Sequence, residues 1–188
     1  MKTWIFLTTY LLIFLLVSCK NNTTNMNNTD TSNPFYVEST LPFQAIPFDK
    51  IKDSDYSPAY EKGMQEHLAE IEQIANNTAE PTFENVFVAL EKSGRLLNRV
   101  NLAFNVVSGA NTNPLYQKLQ EDLAPKLAAH EDAIVLNSKL FNKIEAIYNK
   151  KDGLNLDSES LRLVDYYYQK FVMAGAKLNE ADKEKLKK

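Results

Sequence analysis

The sequence predicts an all-α protein organised as an antiparallel helical array. Apolar residues recur at helical spacing in five successive segments after residue 34, and no stretch alternates with period two for long enough to form a convincing strand. The connections at residues 76–81 and 109–112 are short, which favours antiparallel neighbours. No 34-residue or similar period repeats along the chain, so the pattern does not indicate a solenoid.

The first predicted helix follows a lead-in, residues 41–48, in which apolar side chains surround two prolines. Proline forces extended backbone on the residue before it, so we expect a surface strap there instead of a helix. Ser57 is the predicted N-cap and Pro58 the first helical residue. One face of this helix is apolar and the other is charged. The predicted buried stripe is Tyr60, Met64, Leu68, Ile71 and Ala75.

Thr82 caps a second, longer predicted helix, whose apolar period continues past Gly94. Glycine inside a helix costs about 1 kcal/mol relative to alanine, so Gly94 suggests the close approach of another helix backbone. The predicted buried residues are Phe83, Val86, Phe87, Leu90, Leu97, Val100, Phe104 and Val107.

Asn113 and Pro114 open a third helix in the same cap-then-proline manner. Pro125 lies inside it and cannot donate to the Glu121 carbonyl, which predicts a kink. The predicted buried residues are Leu115, Leu119, Leu123, Leu127 and Ile134.

A fourth helix is predicted over about residues 138–149 and is closed by Gly153. Asp157 caps a fifth, which ends at Gly175. The predicted buried residues of these two helices are Leu140, Phe141, Ile144, Ile147, Leu161, Val164, Tyr168, Phe171 and Val172.

Residues 179–188 open another helix with an N-cap and a charged first turn, and the sequence stops before a terminating signal. This helix offers only Ala181 and Leu186 for burial. Because short helices draw their stability from tertiary packing, we expect the sequence to be the amino-terminal piece of a longer protein.

Residues 1–18 have the pattern of a signal peptide, with Lys2 followed by an apolar run that ends at Val17. The run leads into Ser18 and Cys19 in a way that resembles the lipobox of bacterial lipoproteins, in which the cysteine is acylated and becomes the first residue. Cys19 is the only cysteine of the chain. The alternative is an ordinary secretory signal with an incidental cysteine. Lipidation would anchor the protein to a membrane of the bacterial envelope, on the periplasmic side or at the cell surface.

Residues 19–33 are a predicted flexible tether, because from Lys20 to Asn33 they are mostly Asn and Thr and cannot bury enough surface to offset ordering entropy. Residues 34–188 are the predicted folded region, long enough for one domain with its own core. Loss of the signal would leave 20 basic and 24 acidic residues, a formal charge of −4. No block of basic residues interleaves with aromatic ones, which argues against a nucleic-acid partner.

A zinc peptidase motif needs two imidazoles one helical turn apart and a glutamate beside the first. The two histidines of this sequence are His67 and His130; Glu131 follows His130, but Ile134 occupies the place of the second ligand. Each histidine lies at the edge of an apolar stripe. We therefore predict hydrogen-bonded imidazoles at the rim of the core, and no catalytic or metal-binding residue in this sequence.

Two pairs of carboxylates, Glu66 with Glu70 and Glu121 with Asp122, fall on helix faces assigned to solvent. Their predicted contribution is solubility and helix electrostatics, not acid–base chemistry.

Three consecutive tyrosines, Tyr166, Tyr167 and Tyr168, point in three directions around the fifth helix. One ring is expected in the core. Because aromatic rings are favoured both in cores and at binding surfaces, Tyr166 and Tyr167 are the candidates for contact with a peptide.

A series of short phrases resembles, in order and spacing, the amino-terminal region of bacterial peptidyl-dipeptidases of the Dcp type. These enzymes belong to the thimet oligopeptidase and neurolysin family of zinc metallopeptidases. The phrases lie at residues 41–43, 46–51, 60–64, 81–85, 89–94, 110–113, 125–130, 140–141, 171–176 and 178–180.

The resemblance implies an almost wholly helical protein whose two halves flank a deep channel for short, unstructured peptides. It implies one zinc ion, held by a His-Glu-x-x-His helix and a further glutamate that lie downstream of this sequence, so no site residue is carried over. Zinc would activate the attacking water, with the motif glutamate as general base. This piece would form channel wall and lid, inactive without the missing carboxy-terminal catalytic half.

The alternative is a non-catalytic helical lipoprotein that binds peptides or a protein partner; a third interpretation, an envelope spacer, has only the tether in its favour. A piece of an enzyme is expected to expose large apolar patches where the other half would pack. An independent lipoprotein is expected to melt cooperatively as a monomer.

Overall fold

The computed structural model describes residues 32–186, and within this range every regular element is helical. The predicted all-α class is therefore confirmed. The predicted signal peptide and Cys19 lie outside the described residues. Within residues 32–186, none of the helices combines the length and apolarity needed to cross a membrane. The helices are α1 (Tyr56–Asn76), α2 (Ala89–Lys92), α3 (Arg95–Ala110), α4 (Pro114–Val135), α5 (Ser138–Tyr148), α6 (Ser158–Met173) and α7 (Glu180–Leu186).

The helices enclose two hydrophobic clusters that share α1 and α4. α1 packs along α3 and also contacts α4 and α5, while α5 packs on α6. The first cluster is aromatic and includes Phe35, Tyr56, Tyr60, Phe104 and Tyr116. The second is largely aliphatic and joins the later half of α1 to α5 and α6; its members include Ile71, Leu90, Ile134, Leu140, Ile144, Val164 and Phe171. Because the two clusters meet along α1 and α4, these helices carry the contacts that hold the fold together.

The first helix begins one residue before the predicted cap. A 3₁₀ turn, Asp53–Asp55, leads directly into α1, so Ser57 lies inside the helix and is exposed. The Asp55 carboxylate accepts the Lys52 N–H at 2.8 Å, and the Tyr116 hydroxyl donates to Asp53 Oδ1 at 2.6 Å. A contact from a distant helix thus holds the turn, which the local Ser-Pro signal could not reveal.

The predicted second helix is broken at Gly94, so the expectation of one continuous helix was wrong. Thr82 does cap its start, because Thr82 Oγ1 accepts the Asn85 N–H at 3.1 Å and the Asn85 side chain accepts the Thr82 N–H at 2.8 Å. A π-helical turn, Glu84–Val88, and α2 follow. Ser93 is then extended and Gly94 has a φ of 68°, a left-handed conformation natural to glycine, before α3 begins.

The close approach that the sequence suggested at Gly94 is made by a side chain. A Cβ on Gly94 would lie 2.9 Å from Nδ1 of the His67 ring. The close approach of two helix backbones occurs instead at Gly63 of α1, where a Cβ would lie 2.9 Å from both N and Cα of Leu97 in α3. The missing Cβ thus makes room for the His67 ring at Gly94 and for the backbone of α3 at Gly63.

The strap of residues 41–48 lies on the surface as expected, but it is not simply extended. It contains the 3₁₀ turn Pro42–Gln44 and runs into a second, Phe48–Lys50. Leu41, which precedes proline, has the expected extended backbone, whereas Phe43 and Gln44 have φ of 59° and 55°. The Phe43 side chain is fully exposed.

The third to fifth predicted helices are confirmed, with one error in the buried face. Asn113 accepts the Tyr116 N–H at 2.9 Å to cap α4, and Asp157 accepts the Ser160 N–H at 2.8 Å to cap α6. In α4, Tyr116 is buried and Leu115 is exposed, because successive residues of a helix are rotated by about 100°. The Tyr116 ring packs in the aromatic cluster.

Both ends of the described region are tied into the fold. Asn33, expected at the end of the tether, is buried; its side chain accepts the Phe35 N–H and donates to the Asp55 carbonyl at 2.8 Å. In α7, Ala181 and Leu186 are both exposed. Lys183 is 2% exposed instead, and its ammonium group donates to Ser138 Oγ and to Glu180 Oε1.

Candidate functional site

The two histidines of the chain meet between α1 and α4. Nδ1 of His67 lies 3.0 Å from Nε2 of His130, and the ring centroids are 5.0 Å apart. His130 is 7% exposed, and His67 is half-buried. The predicted hydrogen-bonded role is therefore confirmed for both. That each histidine is the other's partner could not be predicted from the pattern, since they are 63 residues apart.

The break between α2 and α3 completes this cluster. His67 Nε2 lies 3.2 Å from Ser93 Oγ, and the Ser93 hydroxyl also donates to the Leu90 carbonyl at 2.7 Å. The Gly94 N–H donates to Glu70 Oε2 at 2.7 Å. Glu70 was assigned to solvent, so this is a correction: its carboxylate holds the turn against α1. The adjacent residues Ser93 and Gly94 are a turn signal that could have located the break.

Burial governs the protonation of both rings. It lowers the pKa of His67, an effect that the Glu70 and Glu131 carboxylates oppose and the Lys170 ammonium group reinforces. Burial also lowers the pKa of His130, further aided by His67, with Glu131 acting in the opposite direction. The pair is therefore neutral at pH 7. No group of three or more His, Cys, Asp or Glu side chains within residues 32–186 is arranged to hold a metal ion.

The tyrosine run borders a groove between α6 and α2. Tyr166 is 57% exposed and borders an open groove of about 510 Å³ together with Glu91, Arg162 and Leu163. The Tyr167 ring is half-buried behind it, and its hydroxyl donates to Glu91 Oε1 at 2.8 Å. Burial and this carboxylate raise the pKa of Tyr167.

Tyr167 packs against Phe87 of the aliphatic cluster with ring centroids 5.8 Å apart, and the partly buried Tyr168 packs against the same cluster. The Tyr168 ring stacks on Tyr148 with centroids 3.6 Å apart and on Phe141 at 6.0 Å. The three rings thus take different environments, as their helical positions require. Tyr166 is left as the ring most open to a ligand.

The comparisons with known proteins relate the chain to peptidases. No protein-family model matches it. Over 157 residues, 84% of the chain, it is 48% identical to dipeptidyl carboxypeptidase of Escherichia coli (strain K12) and 46% identical to that of Salmonella typhimurium (strain LT2). Over 162 residues it is 25% identical to organellar oligopeptidase A of Arabidopsis thaliana. The chain spans about a quarter or less of the length of these relatives, 23%, 23% and 20% respectively.

The all-helical fold and these matches together identify the chain as homologous to part of an oligopeptidase. Within that class, the chain is a homologue of the dipeptidyl carboxypeptidases over the matched 157 residues. The resemblance inferred from the order of short phrases is thereby confirmed.

Proposed function

We propose that this chain is the amino-terminal part of a zinc-dependent peptidyl-dipeptidase that removes dipeptides from the carboxyl ends of short peptides. The observation that carries the proposal is the 48% identity over 157 residues to a dipeptidyl carboxypeptidase, of which the match covers 23%. In this proposal, the zinc ion and its ligands belong to a catalytic half outside this sequence. The present region supplies channel wall and lid and is inactive alone.

The surface of the described region supports this role. Large apolar side chains are exposed on the strap, at Val37 just before it and on α3, and exposed apolar surface that is contiguous marks places where other parts of a protein pack. These residues are Val37, Leu41, Phe43, Phe48, Leu102 and Val106. Such surface fits a region that packs against further sequence of the same protein.

Within this proposal, Tyr166 contacts the peptide substrate and Tyr167 supports it from behind. The exposed Tyr166 ring borders a groove that also presents the Arg162 guanidinium and the Glu91 carboxylate. The Tyr167 hydroxyl is already bonded to Glu91, which fixes that wall of the groove. An aromatic ring beside fixed charges can hold an extended peptide by apolar contact while its ends interact with polar groups.

The activity test uses the polypeptide encoded by the complete reading frame that contains this chain. With an amino-blocked tetrapeptide, we expect release of the carboxy-terminal dipeptide, loss of release with a chelator and recovery with zinc. Tyr166→Ala should raise KM about fivefold at unchanged kcat, the equivalent of about 1 kcal/mol of aromatic contact. Met173→Ala, at an exposed position of the same helix outside the groove, is the matched control.

Each outcome bears on a different part of the proposal. Release of single amino acids would retain a peptidase but overturn the dipeptide mode of cleavage. A complete reading frame without a His-Glu-x-x-His motif, or activity in the 188-residue chain alone, would overturn the assignment of catalysis to a separate half. Equal KM values for the Tyr166 and Met173 variants would remove Tyr166 from the peptide site.

We also propose that the protein is anchored in the bacterial envelope by lipid on Cys19. The support is the sequence pattern alone, an apolar run that ends in Leu16, Val17, Ser18 and Cys19. Mass spectrometry of the mature protein is expected to find an acylated Cys19 as its first residue, and Cys19→Ala is expected to move the protein out of the membrane fraction. An unmodified Cys19 within the mature chain would contradict the anchor.

A further inference from the structure

Ser93, His67 and His130 are linked in a row by hydrogen bonds. One placement of the protons gives a partner to every polar atom in this row except one ring nitrogen. The Ser93 hydroxyl donates to the Leu90 carbonyl, so Ser93 Oγ accepts from His67 Nε2–H. A neutral imidazole carries one proton, so His67 Nδ1 is an acceptor and His130 Nε2–H donates to it. The remaining atom, His130 Nδ1, is buried without a hydrogen-bond partner and holds only a lone pair.

At low pH, protons are added to the two imidazole rings, and the facing nitrogens limit where these protons can go. The two nitrogens that face each other at 3.0 Å can hold one proton between them. A first added proton therefore ends on His130 Nδ1, whichever ring accepts it initially, and creates a buried N–H with no acceptor. A second added proton places two N–H groups against each other, and the contact between the rings must open.

The surroundings of the pair do not supply the missing acceptor. On α1, Glu70 accepts the Gly94 N–H. On α4, Glu131 pairs with Lys170 of α6 at 2.8 Å. These are the charged groups that act on the rings, and the turn at Ser93 and Gly94 adds none. Neither carboxylate forms a hydrogen bond with His130 Nδ1.

His67 and His130 lie between the two hydrophobic clusters, so separation of their rings would change the packing there. On α1, His67 lies between Tyr60 of the aromatic cluster and Ile71 of the aliphatic one. On α4, His130 lies likewise between Leu123 and Ile134. The His67 ring also packs under Gly94, leaving no room for a Cβ. Separation of the rings would therefore loosen the boundary between the clusters and the turn that joins α2 to α3.

We propose that His67, His130 and Ser93 form an acid-released latch, which joins α1, α4 and the turn between α2 and α3 at neutral pH and opens in weak acid. The latch is independent of the peptidase assignment, because all its groups lie in the described fold. For a histidine whose folded-state pKa lies below its unfolded value near 6.5, the unfolded state binds more protons as the pH falls. The stabilisation is complete above about pH 6.5 and is lost through the lower, folded-state pKa values.

The first test is nitrogen NMR of the full chain, whose two histidines give four imidazole nitrogen signals, two from each ring. At about pH 7.5 we expect both rings as the Nε2–H tautomer, with each ring less than half charged at about pH 6.5. Below that, the two rings should titrate together with the loss of amide protection in α4 and at Ser93 and Gly94. An Nδ1–H tautomer of His130, or an ordinary titration near pH 6.5 with α4 unchanged, would overturn the latch.

The second test compares denaturation midpoints at about pH 7.5 and about pH 5. The fall in the midpoint should be at most half as large in His130→Leu as in the wild type, because one of the two titrating rings is gone. Glu131→Gln is the control for the neighbouring ion pair with Lys170; because this carboxylate raises the pKa of both rings, its loss should leave a fall at least as large as in the wild type. Equal falls in the wild type and His130→Leu would contradict the proposal; if that variant does not fold, the NMR result on the wild type decides.

Discussion

Replacing Phe104 by alanine is expected to lower the free energy of unfolding by about 3–5 kcal/mol, the usual cost of removing a buried phenylalanine side chain. Phe104 is buried at the centre of the aromatic cluster. Its ring centroid lies 5.3 Å from that of Tyr56, 5.8 Å from that of Tyr60 and 5.5 Å from that of Tyr116, in tilted or edge-on geometries. Alanine would remove these contacts and leave a cavity that three large rings cannot readily fill. Chemical denaturation of the full chain measures the loss.

Leu102→Ala is the matched control for this prediction. Leu102 lies two residues earlier on the same helix, and its side chain is 53% exposed. Alanine is at least as good a helix former as leucine, so the change in the free energy of unfolding should stay within about 0.5 kcal/mol. A loss at Leu102 as large as that at Phe104 would mean that the exposed stripe of α3 is buried in solution. In that case the aromatic cluster would not be the main source of stability in this part of the fold.

The sequence correctly predicted the helix starts that neighbouring capping residues determine. It failed at the helix start that is determined by a contact between residues far apart in sequence. Asn113 and Asp157 cap their own helices, so each boundary is contained in a few neighbouring residues. The start of α1 is held by the Tyr116 hydroxyl on Asp53, across 63 positions of sequence. Periodicity could not detect the break at Gly94 either, because apolar residues keep nearly the same spacing on both sides of it.

The candidate sites show the same contrast between features set by neighbouring residues and features set by contacts between distant ones. The absence of a second imidazole at Ile134 is a local fact, which the order of residues shows by itself. The bond between His67 and His130 depends on how α1 and α4 cross, which no pattern within either helix encodes. The role of Glu70 depends in turn on the left-handed backbone of Gly94. Helical position alone did separate Tyr168, which is partly buried and stacks on Tyr148, from the exposed Tyr166.

The packing of α1 on α3 leads to the second large expected effect. Gly63→Ala should lower the free energy of unfolding by about 1–3 kcal/mol, the usual cost of overpacking. The new Cβ would lie 2.9 Å from both N and Cα of Leu97, and these are backbone atoms that cannot rotate away. Alanine gains about 1 kcal/mol of helix propensity over glycine, so a net loss requires that the two helices be forced apart. The same denaturation measurement reports the sign directly.

Gly109→Ala makes the same chemical change where the structure leaves space. Gly109 lies in α3, is exposed, and a Cβ there would meet no atom within 4 Å. The helix-propensity gain then acts without opposition, and the free energy of unfolding should rise by about 0.5–1 kcal/mol. Opposite signs at the two positions would show that contact between α1 and α3, not glycine content, determines stability here. A gain at Gly63 equal to that at Gly109 would mean that the two helix backbones lie farther apart in solution than the 2.9 Å contact requires.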